Sequence, residues 1–161
     1  MGEAVGRSSR PSGADANGGF HEEGGEFGLD SDGHQISVAA APGPFADPRT
    51  TNATIETGNP ANPADVGRIE KVQGTFHVHP KGEIVVGPKT TPGVVVIGGP
   101  ILTANFNQKP SMPDLNLAMQ APSNTNFVLG ARTSRVYIYN SNGELTPNGI
   151  PLKNFLKIGS K

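Results

Sequence analysis

Apolar and polar positions alternate in short bursts along this chain, and stretches with a sustained period are rare. Phe27–Leu29 and Gln35–Ala40 read as two short strands around the turn cluster Asp30-Ser31-Asp32-Gly33, which together make a hairpin. Residues 42–65 carry five prolines and many Asn, Thr and Asp, and read as a long polar loop. Val66–His79 reads as a strand, with Val72, Phe76 and Val78 as its apolar members and Gly74 marking a bulge. Two apolar runs, Val94–Ile97 and Ile101–Ala104, flank Gly98-Gly99-Pro100 and suggest a further hairpin.

A single helix is expected over Met112–Gln120, with Leu115, Leu117, Ala118 and Met119 on its apolar side. Phe127–Leu129 and Arg135–Tyr139 then read as strands, the second running into the turn signal Asn142-Gly143. Lys153–Lys157 allows one more helical turn or a short strand. Residues 1–19 show no periodicity and read as a disordered lead-in, leaving 20–161 as a single domain. The fold class is α/β of the α+β kind, a loop-rich mixed β-sheet with few helices.

Composition narrows the function classes. There are 22 glycines and 15 prolines among 161 residues, about twice the usual share, so the core is modest and the loops are many. The absence of cysteine excludes disulfide scaffolds, thiol nucleophiles, iron–sulfur clusters and zinc–thiolate sites. A formal net charge of −1 with no basic cluster argues against nucleic-acid binding. No apolar run reaches the roughly 18–20 residues of a membrane span, and the first residues lack the apolar segment of a secretory signal. The expected location is cytoplasmic, or delivery as part of a larger secreted protein.

The residues that carry chemistry are few. In His77-Val78-His79-Pro80, strand geometry puts the two imidazoles on one face, side by side, and Pro80 stops the strand beside them. Two such imidazoles suit one metal ion, although two ordinary histidines of a half-exposed strand have the same spacing. Ser111-Met112-Pro113-Asp114 has the form of a capping box, with Ser111 as N-cap and Asp114 three positions later. That motif is a helix start first. It also presents a carboxylate, Asp114, as a third ligand. Glu22-Glu23-Gly24-Gly25 alone is no more than an acidic turn. Two imidazoles and one carboxylate form a good ligand set for Zn²⁺ and leave a fourth position for water. A nearby glutamate can take a proton from that water, and a serine can stabilise an oxyanion.

Taken in order, these three pieces resemble the JAMM motif of the JAB/MPN metalloproteases: Glu-x-small-Gly, then His-x-His-Pro, then Ser-x-x-Asp. The text after them, NFVLGARTSRVYIYNSNGEL, looks like the closing strands of bacterial JAB-like domains, including those of polymorphic toxins. The resemblance covers about residues 20–145. It implies a mixed sheet with zinc at its edge, His77, His79 and Asp114 as ligands, Glu22 rather than Glu23 as general base, and Ser111 as oxyanion donor. The activity implied is hydrolysis of a peptide or isopeptide bond. The partners implied are a protein or peptide substrate and, for a toxin module, an immunity protein. One departure is clear: 31 residues, 80–110, separate the second histidine's motif from Ser111, where the family has about a dozen or fewer, so this stretch must loop out. A catalytically inactive JAB-like module that binds a protein partner through the same cleft is the competing expectation.

Overall fold

Strand-forming residues fall in short bursts, and they assemble as nine strands and two helices among the described residues of the computed structural model, which are 7–8, 20–46, 52–81, 83–86 and 102–158. In chain order the elements are β1 (Glu23–Leu29), β2 (Gln35–Ala39), β3 (Lys71–His79), β4 (Glu83–Val86), β5 (Leu102–Asn105), α1 (Met112–Gln120), β6 (Asn126–Gly130), β7 (Arg135–Asn140), β8 (Gly143–Glu144), β9 (Ile150–Pro151) and α2 (Leu152–Ile158). Seven strands form one sheet in the order β2-β1-β3-β6-β7-β8, with β9 also on β7. All pairs are antiparallel except β3 with β6. A parallel pair needs a long crossover, and here it holds β4, β5 and α1. The architecture is a mixed sheet with two helices, as expected for an α+β chain.

The first hairpin forms as predicted, with a longer first strand. Asp30 closes its turn by accepting the backbone N–H groups of Asp32 at 3.0 Å and His34 at 2.8 Å. The strand predicted from Val66 starts later, at Lys71. Pro63–Asp65 instead forms a 3-10 turn capped by Asn62, and Gly67 takes a positive φ of 74°, so the chain cannot extend until it has passed them. The bulge expected at Gly74 is present. Phe27 pairs with Gly74 and Gly28 with Val72, leaving Gln73 without a partner across β1.

The hairpin predicted between Val94–Ile97 and Ile101–Ala104 falls partly outside the described residues. β5 does cover the second run, but its partner is β4, in a separate two-stranded sheet. Val94–Ile97 lies outside the described residues. The expected disordered lead-in also lies outside them, save Arg7 and Ser8. These two contact β1 and its approach: Arg7 donates twice to the Glu23 carboxylate, at 3.1 and 2.7 Å, and Ser8 is buried. The C-terminal KNFLK resolves as helix.

Alternation along β3 divides the core. Val78 faces one side of the sheet, where it joins Leu129, Ala131 and Val136 beneath Leu152 and Phe155 of α2. His77 and His79 face the other side, shared with Val128 and Tyr139, which pack under Ala118 and Leu115 of α1. The histidines are therefore roofed by the helix that carries Asp114. A third cluster of Phe20, Phe106 and Ala46 ties the approach to β1 to the chain leaving β5.

Gly24 lets the strands close here. A Cβ at this position would collide with the Phe76 carbonyl oxygen and stand 2.8 Å from His77 Cβ. Gly24→Ala is expected to push β1 off β3 and to lower stability by about 1–3 kcal/mol, read as a drop in the midpoint of urea denaturation.

Candidate metal centre

Three elements bring the site together. β3 supplies His77 and His79, two residues apart on one face. The residue preceding β1 is Glu22, which antiparallel pairing of Glu23 with Val78 sets beside the end of β3. The first turn of α1 supplies Asp114. His77 Nε2 and His79 Nε2 are 3.1 Å apart. Asp114 Oδ1 lies 3.2 Å from His77 Nε2, and Asp114 Oδ2 lies 3.5 Å from His79 Nε2. Glu22 Oε1 lies 3.5 Å from His79 Nε2. Glu22, His77 and His79 each offer a ligand atom within 4.8 Å of the other two, and all three are buried.

These separations test whether a metal would fit. Ligands at the zinc distance of about 2.0–2.1 Å stand about 3.3–3.4 Å from one another around a tetrahedral ion, and the four imidazole–imidazole and imidazole–carboxylate separations here are 3.1–3.5 Å. The donor set is nitrogen and oxygen without sulfur, which suits zinc and other borderline divalent ions. His79 Nδ1 is buried and finds no partner among the described residues. The ring is thus held from its Nε2 end, where the carboxylates are.

Asp114 is doubly fixed. Its Oδ2 accepts the Ser111 backbone N–H and the Ser111 hydroxyl, each at 2.6 Å, while the Asp114 N–H points back at Ser111 Oγ at 3.4 Å. The expected capping box is therefore complete, and the same bonds aim the carboxylate at the histidines. The helix cap and the placement of the Asp114 carboxylate against the histidines are one structure. Ser111 lines the cavity as expected, but its hydroxyl proton is engaged with Asp114.

The charges are interdependent. Burial alone would raise the Asp114 carboxyl. Hydrogen bonds from His77 and His79, the His77 charge and the Ser111 bond outweigh it and hold the group far below the usual carboxylate range. Burial pushes Glu22 upward; the two histidines pull the other way, and the Asp114 charge adds to the rise. Burial would lower His77, but its bond to Asp114 and the negative charges of Glu22 and Asp114 raise it.

Sequence reasoning missed the supports around this corner. Buried Gln108 donates from Nε2 to the Pro80 carbonyl at 3.0 Å and accepts at Oε1 from the Arg132 N–H at 2.7 Å. It pins the returning crossover to the end of β3, three residues before Ser111. His21 and Glu23 pair behind Glu22 at 3.0 Å, both buried, with Arg7 completing the group. Neither a lone glutamine nor an acidic turn carries a signal of such a role.

Glu22, His77, His79, Ser111 and Asp114 all line one cavity of about 420 Å³ between the sheet, α1 and residues 52–57. The sequence matches no family model, and neither the curated proteins nor the solved structures contain a match.

Two outcomes follow from the supports. Ser111→Ala is expected to cost about 1 kcal/mol, in the range of 0.5–2 for a lost N-cap, measured by denaturant unfolding. For Glu23, burial raises the carboxyl, but hydrogen bonds and charge from Arg7 and His21 outweigh it and leave it below its ordinary value of 4.5. Its contribution to stability is complete above the unfolded value and is lost as pH falls through the folded one. Glu23→Gln should therefore flatten the loss of stability below about pH 4.5, read from unfolding curves across an acid series.

Proposed function

We propose that this protein is a zinc-dependent hydrolase of the JAB/MPN kind that cleaves a peptide or isopeptide bond. One observation carries the reading: two imidazole nitrogens 3.1 Å apart face two carboxylates within 3.2–3.5 Å at the wall of a cavity. His77, His79 and Asp114 would hold the ion. Asp114 stands 3.2–3.5 Å from both imidazoles, whereas Glu22 stands 3.5 Å from His79 and within 4.8 Å of His77. Asp114 is also the carboxylate kept ionised, while burial raises the proton affinity of Glu22. A ligand needs the first property and a general base the second.

When bound, the ion supplies Lewis acidity and makes water a competent nucleophile near neutral pH. Glu22 Oε1 accepts the proton as water adds to the substrate carbonyl carbon, and returns it to the departing nitrogen as the C–N bond breaks. Ser111 holds Asp114 through its hydroxyl and its N–H. Its role as oxyanion donor requires the hydroxyl to exchange Asp114 for substrate. The roof formed by α1 shields the corner from bulk water, which strengthens each of these contacts.

The purified protein should take up about one Zn²⁺ per chain by elemental analysis. His77→Ala should lower its affinity by more than the roughly 10–100-fold typical of losing an outer-shell support. Acidification should release the ion as the imidazoles protonate. Glu22→Gln should retain zinc and lower cleavage of a fluorogenic peptide library by about 10²–10⁴-fold. Absence of zinc uptake overturns the reading. Zinc uptake with no cleavage by the wild type leaves a metal-binding module that recognises partners without hydrolysing them.

A further inference from the structure

Beyond the metal corner, the same cavity has a polar floor with one donor left open. Asn126 on β6 lies opposite Tyr139 on β7 and beside Thr75 on β3. Its Oδ1 accepts both the Thr75 N–H at 3.0 Å and the Thr75 hydroxyl at 3.1 Å. A backbone N–H can only donate, so the amide orientation is fixed. Nδ2 is then the free end, and it bonds to no described group. The residue is 5% exposed and lines the cavity with Thr75 and Tyr139. Nδ2 is not among the buried, unpartnered side-chain atoms, so it opens onto the cavity, where an acceptor on a bound molecule can reach it.

The surroundings define what would satisfy it. Carboxyl groups of Glu22, Glu26 and Asp114 line the same cavity, so a phosphate or carboxylate ligand would meet like charge. The walls beside the floor are apolar, from Ile55, Val72 and Leu117. An uncharged carbonyl flanked by apolar groups is the complement. Spacing makes it a peptide carbonyl. Thr75 precedes His77 by two residues on one face of β3, so the floor lies about 6.6–6.8 Å along the strand from the histidine row. That distance is also the repeat between carbonyls facing the same way in an extended peptide.

We infer that Asn126 is a substrate-positioning residue, its Nδ2 donating to a main-chain carbonyl of an extended, apolar peptide segment bound along β3. The carbonyl is two residues from the bond that reaches the histidines. This rests on the reading of the site as a peptide hydrolase. Thr75 acts as the clamp that keeps the donor facing the ligand.

The test uses full-length, zinc-treated Glu22→Gln protein, labelled with ¹⁵N, and the blocked tripeptide acetyl-Ala-Leu-Ala-methylamide. The Asn126 side-chain NH₂ signals, assigned by their loss in Asn126→Asp, should shift on titration. Asn126→Asp preserves the acceptor for Thr75 and removes the donor; it should bind the peptide roughly 3–10-fold more weakly, as expected for one neutral hydrogen bond. The acetyl-Ala-Glu-Ala-methylamide analogue should bind more weakly than the leucine peptide to the Glu22→Gln protein. Unmoved Asn126 signals at saturating peptide, unchanged affinity in Asn126→Asp, or no binding overturns the inference. Zinc content of the same sample separates the two readings. Asn126 shifts without zinc uptake sink the hydrolase reading alone; zinc uptake and library cleavage with unmoved signals sink the positioning role alone.

Discussion

Two carboxylates and two imidazoles share one corner of the sheet, where burial works against bare negative charge and the imidazoles work for it. Glu22 and Asp114 both stand within 3.5 Å of His79. The charge on Asp114 adds to the rise that burial gives Glu22. Much of the surrounding structure serves to impose this unfavourable arrangement. Gly24 removes the side chain that would hold β1 away from β3. Ser111 locks Asp114 inward, and Gln108 fastens the crossover to Pro80 so that Ser111 arrives at the right height.

One set of hydrogen bonds has two uses here. The capping box starts α1 and orients Asp114, so local helix chemistry and site geometry cannot be varied independently. The sheet shows a similar economy. The α2 side of β3 takes the apolar residue Val78, and the α1 side takes the polar row of Thr75, His77 and His79. A period of two therefore divides packing from chemistry within a single strand.

The elements with strong local signals were legible in the sequence. Met112–Gln120 follows from its capping box and apolar face, and the first hairpin from its Asp/Gly turn. β6 and β7 follow from short β-branched and aromatic runs. The same-face pair His77/His79 and the cap Ser111/Asp114 were also readable, because each is a spacing rule within a few residues. What could not be read is long-range. β5 has a partner in Glu83–Val86, and such pairing depends on tertiary context. The start of β3 was misplaced because the 3-10 turn after Asn62 and the left-handed Gly67 override the propensity of Val66 and Ile69. Gln108 and Asn126 carry no motif, since their importance comes from the groups that folding places around them.

The lone parallel pair, β3 with β6, gives the site a kinetic character. Glu22 and Asp114 lie 92 positions apart in the chain, and their meeting requires the β1–β3 pairing and the return of the crossover onto the sheet. Contacts of such separation form slowly, because chain entropy is lost before any contact compensates. In an unfolded chain only the two histidines remain neighbours, as a flexible i, i+2 pair. The four-group corner therefore arises with cooperative folding rather than by degrees, and a partly unfolded molecule does not assemble it.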